Sequence, residues 1–422
     1  MQRPSRDLRI AFVTNRFYPE VGGAETNIFF QARELAKVAE VTVFCPRRLE
    51  ETPGRETLDE IKVVRMWDVR NPLSKFPNIS AATLCPSLLF HLAAGGFDVI
   101  HCFPAVNPNN LVAALAAKIR KIPTVLVSFD FLDYATLIRE TGRYGNFLEE
   151  YQISSRMKRM VRWFDHIFTI SDRETHFLRD YHPSVSYSPV PVEIGEYETE
   201  SDDPRSKYGL SPDDFLVLML GRVSEIKGQD IGLEAFVKAR KQMPGAKLVC
   251  VGRTDFEPEF FAKLEAVVAD EGIADEVVFT DVVERDEVLG WLRHADLHLI
   301  PVRFMNSGAV VVESWASDTP VIHSDAVDPT LVTDGENGFV FPTGSSDGAA
   351  ASLRLAFAQK TKLPAMGKAG SKVARGHYTY RQLTALYLDR YARLLGDIEP
   401  TEEHLFTAPE YLAHDFGGEG SE

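Results

Sequence analysis

The hydrophobic pattern of this chain repeats one unit: a short apolar run, then a longer segment whose apolar residues recur every three or four positions. The clearest run is Phe215–Leu220, FLVLML, ended by Gly221. It is too short for a core helix and the right length for a strand buried on both faces. Helical spacing follows in Ile231–Arg240, through Ile231, Ala235, Phe236 and Ala239. The same alternation begins the chain, with a strand at Leu8–Thr14 and a helix over Ala24–Val38 whose inner face is Ile28, Ala32, Leu35 and Ala36. Strands are predicted at Val41–Cys45, Lys62–Met66, Phe97–His101, Pro123–Phe129 and Ile167–Ser171, with a helix over Asn110–Ile119. Beyond Gly221, strands at Ala246–Gly252, Glu276–Thr280, Asp296–Pro301 and Pro320–Ile322 alternate with helices at Glu257–Asp270 and Arg285–His294. A last helix, about Tyr378–Leu395, carries Leu383, Leu386, Tyr387 and Tyr391 on one face. Two blocks of strand–helix alternation predict an α/β chain with two doubly wound parallel sheets.

Composition places the division between the blocks. Three prolines in Pro183–Pro191 run into six acids in Glu193–Pro204, with no Lys or Arg. Proline stiffness and charge repulsion predict an extended linker there. The expected organisation is a first domain over 1–188, a linker over 189–205, a second domain over 206–376, a returning helix over 377–396 and an acidic mobile tail over 397–422. The tail holds eight acids and no Lys or Arg, so tail and linker together carry 14 of the 15 net negative charges. The folded body is thus close to neutral, and no basic footprint for nucleic acid is present. Four cysteines without CxxC spacing fit a reduced, cytoplasmic setting. The stretch Asn78–Phe97 is uncharged but too polar to span a bilayer, and reads as a partly buried helix with a loop.

Candidate chemistry lies where loops leave strands. Arg222 and Lys227 occupy the loop after Phe215–Leu220, closed by Gly228. Ligands of open α/β sheets bind at the carboxyl ends of strands, so a buried strand delivering two cations there suits an anion. Gly22-Gly23 lies where the chain turns into its first helix, permitting close backbone approach at an end that favours anions. Ser307-Gly308-Ala309 would open another helix with free N–H groups, and Glu313 follows one to two turns in. Ser154–Phe164 holds Arg156, Lys158, Arg159 and Arg162 interleaved with Met157, Met160, Val161 and Phe164, a basic amphipathic pattern that can lie on an anionic membrane surface or simply turn its apolar side to the core.

The stretch Gly221–Gly228, GRVSEIKG, resembles the donor-phosphate loop of the family-four retaining glycosyltransferases of the GT-B fold, the glycosyl transferases group 1, and the resemblance extends from about Leu8 to Leu395. It implies two Rossmann-like domains facing across a cleft. Arg222 and Lys227 would bind the diphosphate of a nucleotide sugar, Gly308 and Ala309 would offer helix N–H groups to it, Glu313 would accept hydrogen bonds from ribose hydroxyls, and Gly22 and Gly23 would face donor phosphate and acceptor. The turn Thr333–Gly338 is close to one that the family uses. Two positions depart from the pattern. Where the family ends a first-domain strand with His, this chain has Phe129, next to Asp130; where it has a sugar-holding Glu, this chain has Met305, next to Asn306. Phenylalanine can neither exchange protons nor donate a hydrogen bond. His101 and Asp130 are the candidates to replace the missing His, and Asn306 the candidate to hold the sugar.

The resemblance implies a retaining hexosyltransferase that uses a nucleoside diphosphate sugar and a lipid-linked or membrane-proximal glycan acceptor, in a glycan, polysaccharide or protein-glycosylation pathway. No DxD occurs, so a bridging metal is not expected, and no cofactor beyond the donor substrate is implied. The expected location is the cytoplasm, at the inner face of the membrane through Ser154–Phe164. The alternatives are a nucleotide-sugar-binding subunit without catalysis, which the residues at Phe129 and Met305 recommend, and a GT-B epimerase.

Overall fold

The structure is a computed structural model that describes residues 8–20, 22–49, 51–70, 83–103, 107–128, 158–304, 307–327 and 331–396. Phe129, Asp130, Met305, Asn306 and the acidic tail lie outside them. The chain forms two compact units, one running to Val190 and resumed at Tyr380, the other from Pro191 to Thr379.

The first unit is built on strands β1 (Arg9–Val13), β2 (Glu40–Pro46), β3 (Arg55–Leu58) and β4 (Ile61–Met66), a short antiparallel pair β5 (Val69–Arg70) and β6 (Thr83–Leu84), then β7 (Val99–Cys102), β8 (Thr124–Ser128), β9 (His166–Thr169) and β10 (Val185–Tyr187). Its helices are α1 (Gly23–Ala36), α2 (Leu88–Ala94), α3 (Asn109–Arg120) and α4 (Asp172–Arg179). The eight-stranded sheet has the order β10-β9-β8-β7-β1-β2-β4-β3, and its neighbours are parallel except at one edge. There β3 runs antiparallel to β4 through a turn at Asp59 and Glu60, both with positive φ. That hairpin is an addition to the predicted parallel sheet. Its two-residue turn has φ signs suited to a tight hairpin but lacks the Asn-Gly or Asp-Gly sequence that announces one.

In the second unit, β11 (Phe215–Leu220), β12 (Ala246–Val251), β13 (Val277–Asp281), β14 (Leu297–Ile300), β15 (Val321–Ser324) and β16 (Gly338–Phe341) form an all-parallel sheet in the order β13-β12-β11-β14-β15-β16. Its helices are α5 (Ile194–Glu198), α6 (Gln229–Ala239), α7 (Pro258–Asp270), α8 (Arg285–His294), α9 (Ala309–Ala316), α10 (Ser346–Ala358) and α11 (Leu363–His377). β11 pairs with β12 on one side and β14 on the other, so the order reverses beside it. Five of its six residues are fully buried. Each such side chain contributes roughly 1.5–3 kcal/mol by leaving water, which anchors β11 firmly in this sheet. Loops at its carboxyl end therefore start from a fixed point.

The acidic stretch after Val190 is not an extended linker. It folds onto the second unit as α5 and a 3-10 turn at Pro204–Tyr208, because arginines elsewhere in that unit neutralise two of its acids, Arg285 pairing with Glu196 and Arg375 with Glu198, while Arg205 within the turn pairs with Asp203. Exposed pairs of this kind each contribute about 0–1 kcal/mol. The buried Tyr197 ring is the larger anchor.

The last helix, α12 (Tyr380–Leu395), belongs to the first unit, where Tyr380, Leu383, Tyr387 and Tyr391 are buried. Tyr391 meets His101 at its Nδ1. The described part of the basic stretch, 158–164, turns Met160, Val161 and Phe164 into the core of this unit, so its apolar side is spent on packing; Arg159, Arg162 and Trp163 stay outside.

Three histidines, His101 on β7, His166 on β9 and His298 on β14, are held neutral by burial, the last two down to about 2 and about 3. An unfolded histidine titrates near 6.5, so below that pH the unfolded chain takes up protons that the fold refuses. Stability is complete above pH 6.5 and falls on acidification, by about 1.4 kcal/mol per pH unit for each such histidine. Urea unfolding at pH 7.5 and 5.5 will show this loss, and His101→Phe, which cannot protonate, will show a smaller one; equal losses in both proteins would contradict the assignment.

Candidate functional site

At the carboxyl end of β11 the backbone turns sharply. Gly221 has φ +135°, and the Lys227 side chain lies over it, 3.8 Å from where a Cβ would be. Gly228 has φ +71° and approaches Pro301 so closely that a Cβ would lie 1.9 Å from the carbonyl oxygen. Only glycine is free of both the strain and the clash. Between them Glu225–Lys227 makes one 3-10 turn.

Polar contacts fix this loop from three sides. Gln229, buried at the start of α6, donates from Nε2 to the Arg222 carbonyl at 3.0 Å and accepts from the Ser224 N–H at 3.3 Å. Glu257 accepts from the Glu225 N–H at 2.9 Å. Arg303, just past β14, donates to the Glu225 carbonyl at 2.6 Å and forms a bidentate pair with Asp230 at 2.7 and 2.6 Å. The loop is thus preformed, with its two cations left over. Among the described residues neither Arg222 nor Lys227 has a carboxylate within 4.0 Å. The Arg222 guanidinium lies 4.3 Å from the centre of the Phe256 ring. Burial, and then the Arg222 charge, hold the Lys227 ammonium below its ordinary value, while Glu313 pulls it back. A cation depressed by a neighbouring cation gains from an anion placed between them.

Glu313 belongs to the same neighbourhood, on α9. Burial raises its carboxyl above the ordinary value; Arg285 is the main opposing charge, with the Tyr197 hydroxyl and Lys227 acting in the same sense and Glu196 against them. α9 begins at Gly308 with no side-chain cap, so its first N–H groups, including that of Ala309, are not taken by a cap. Gly308 packs on Leu331, where a Cβ would lie 2.0 Å from Cδ1. His298 ties helix to strand: its Nε2 accepts from the Leu220 N–H at 3.2 Å, which leaves Nδ1 to donate to Ser314 Oγ at 2.6 Å. Arg222, Lys227, Gly308, Ala309 and Glu313 are therefore all carried by the carboxyl side of β11 and β14, where this sheet reverses order.

The first-unit candidates fare differently. Gly22 caps α1 and Gly23 opens it, as the turn into a helix predicts. The Glu25 carboxylate folds over Gly22, 2.3 Å from where a Cβ would be, and so already serves this helix end. His101 needs correction as a catalytic candidate. Its ring is 0% exposed, stacked on Phe103 at 4.4 Å and edged by Phe12 and Tyr387. The strand continues one residue past it, so the side chain points into the core under α12. A group with no open surface cannot reach a sugar. Asp130 and Asn306 lie outside the described residues.

Gln229, Arg303, Arg285, Tyr197 and His298 are the parts of this site that the sequence reading passed over. Arg303 and His298 carried a signal, a polar residue on or just after an apolar strand. Tyr197 carried none, since its segment reads as linker.

Two family models match the chain. One, described as glycosyl transferases group 1, covers residues 214–358; the other, glycosyltransferase family 4, covers residues 21–193. The chain is 27% identical over 408 residues to the GDP-mannose-dependent alpha-(1-6)-phosphatidylinositol monomannoside mannosyltransferase of Mycolicibacterium smegmatis, covering 91% of this chain and 97% of that one. It is 26% identical over 238 residues to the D-inositol 3-phosphate glycosyltransferase of Jonesia denitrificans, covering 53% of this chain and only about half, 55%, of that relative. Among solved structures, Anabaena Alr3699/HepE in complex with UDP-glucose superposes with a TM-score of 0.68 at 19% identity, over 93% of this chain and 100% of that one. At that identity the likeness shows the fold, which is GT-B.

Proposed function

Because the chain belongs to the glycosyl transferases group 1, glycosyltransferase family 4, we propose that it transfers a hexose from a nucleoside diphosphate sugar, with retention, to a lipid-linked or membrane-proximal glycan. The observation that carries this reading is the pair Arg222 and Lys227, with no carboxylate within 4.0 Å among the described residues, held at the β11 terminus and influenced by the Glu313 charge. In the proposed reaction the sugar–phosphate bond breaks and negative charge builds on the departing diphosphate. In this reading Arg222, Lys227 and the N–H groups at Gly308 and Ala309 stabilise that charge. Glu313, as a carboxylate, accepts from the ribose hydroxyls. Asn306 and Asp130 stay in the proposal as sugar-holding and proton-handling residues on sequence grounds, and Gly22 and Gly23 as a backbone approach to the substrates; His101 drops out.

A membrane-proximal acceptor is favoured by the surface around α3. Leu111, Leu115 and Ile119 form an outward stripe at spacings of four, 46%, 44% and 61% exposed, while Ala113, Ala114, Ala116 and Ala117 face the core. Trp163 lies beside it under the Lys118 ammonium, 4.2 Å from the ring centre, and Arg120, Lys121, Arg159 and Arg162 are exposed around them. An apolar stripe flanked by cations, on a folded body close to neutral, fits an anionic bilayer. No described helix is long and apolar enough to cross a membrane. The M. smegmatis relative is named as GDP-mannose-dependent, which makes GDP-mannose the first donor to try.

The test is a transfer assay with labelled nucleotide sugars and extracted lipid acceptors presented in vesicles. Transfer is expected, and Arg222→Ala and Lys227→Ala should each lower it by about 100-fold or more, the effect of removing one preorganised donor to a developing charge. The protein should sediment with phosphatidylglycerol vesicles but not with phosphatidylcholine alone, and the Leu115→Ser, Ile119→Ser double variant should lose sedimentation. Full transfer by both cation variants would sink the donor site, nucleotide-sugar binding without transfer would favour a non-catalytic subunit, and release of an epimer would favour an epimerase.

A further inference from the structure

The loops that leave β11 and β12 continue side by side beyond the sheet. The Gly221 N–H donates to the Val251 carbonyl at 2.8 Å, the Val223 N–H to the Arg253 carbonyl at 2.9 Å, and the Glu225 N–H to the Glu257 carboxylate at 2.9 Å. Gly252, with φ +137°, lets the two loops meet: a Cβ there would lie 2.5 Å from the Gly221 carbonyl oxygen. The polar side chains of the second loop are engaged. Arg253 donates to the Asp255 carboxylate at 2.7 and 3.0 Å, and the Thr254 N–H and hydroxyl donate to Asp281 at 3.0 and 3.3 Å. Phe256 stands among them with its ring 41% exposed, and the Arg222 guanidinium lies over that ring, 4.3 Å from its centre.

We propose that Phe256 is a positioning residue for Arg222: its ring, fixed by the hydrogen bonds between the two loops, holds the guanidinium at the β11 terminus and leaves the whole positive charge for a diphosphate. The inference rests on the reading of Arg222 as a diphosphate-binding cation and adds the device that aims it. The Arg222 main chain is already fixed, since its carbonyl accepts from Gln229 Nε2 at 3.0 Å. Its side chain is exposed, and ordering a long side chain at the moment of binding costs conformational entropy that a prior contact removes. A carboxylate could order it as well, but would offset its charge and have to be displaced by the incoming anion. Among the described residues no carboxylate lies within 4.0 Å of it. An aromatic face attracts the cation through its quadrupole and carries no net charge, so it orders the guanidinium without neutralising it.

The experiment measures binding of inorganic pyrophosphate, GDP and UDP by titration calorimetry to the full wild-type chain and to Phe256→Leu, Phe256→Tyr, Arg222→Ala and the Arg222→Ala, Phe256→Leu double variant. The ring is exposed, so none of these changes removes core packing. The expected result is that Phe256→Leu weakens all three ligands by about 2- to 5-fold, the strength of a cation–π contact at an exposed site. Phe256→Tyr, which keeps an aromatic face, should bind as the wild type does, and Phe256→Leu should add no further loss once Arg222 is alanine. If Arg222→Ala binds pyrophosphate as tightly as the wild type, the diphosphate reading fails and this inference falls with it. If Arg222→Ala weakens binding while Phe256→Leu matches the wild type or binds more tightly, the diphosphate reading stands and the positioning role is overturned. A loss in Phe256→Leu confined to GDP and UDP would place the ring on the nucleobase, and an undiminished loss in the Arg222→Ala background would show that it acts through another group; either result also overturns the proposal.

Discussion

Two like charges held near each other, with no carboxylate within 4.0 Å among the described residues, are costly for a folded chain, and that constraint organises the second unit. Arg222 and Lys227 leave β11 together, and the Lys227 ammonium is depressed by burial and by its neighbour. Most acids that could have relieved them are engaged elsewhere: Asp230 by Arg303, Glu196 by Arg285, and Glu257 by the Glu225 N–H. The loop is preformed by glycine geometry and by Gln229, so the cations cannot relax far apart. In the proposed reading a diphosphate bound here would supply the missing charge without reorganising the loop, which is the condition for electrostatic stabilisation of a leaving group.

The first unit meets a different constraint, polar groups inside its core. His101 is ringed by Phe12, Phe103, Tyr387 and Tyr391, and its Nδ1 meets the Tyr391 hydroxyl of the last helix. Asn27 donates to Tyr380 at the other end of that helix at 3.3 Å. A buried polar group left unpaired costs about 1–3 kcal/mol, so such pairs specify where the returning helix docks. His101 is thus explained by packing and not by chemistry on a sugar.

Much of this was legible in the chain. Phe215–Leu220 is the strand that its apolar run predicts, and Arg285–His294 the helix. Leu383, Tyr387 and Tyr391 form the buried face read from their spacing. What failed has physical causes. Periodicity assigns a residue to a strand but cannot say how deeply its end is covered, which is why His101 passed for a site residue. Charge counts treat a segment in isolation, so six acids read as a repelling linker, whereas two of them, Glu196 and Glu198, pair with arginines distant in sequence, Arg285 and Arg375. An amphipathic pattern does not say which face meets protein: Met160, Val161 and Phe164 went to the core, and the exposed stripe belongs to α3. The bracing of the site by Arg303 and His298 depends on contacts across 16 to 78 positions of sequence, beyond the reach of any local pattern.

The central claim is that the β11 terminus is a diphosphate site. Its most direct test is a structure determined with GDP or UDP bound. The account predicts phosphate oxygens about 2.7–2.9 Å from both the Arg222 guanidinium and the Lys227 ammonium, the distance of charge-assisted hydrogen bonds. A nucleotide bound elsewhere, with these two side chains turned to solvent or closed onto neighbouring carboxylates, would contradict it.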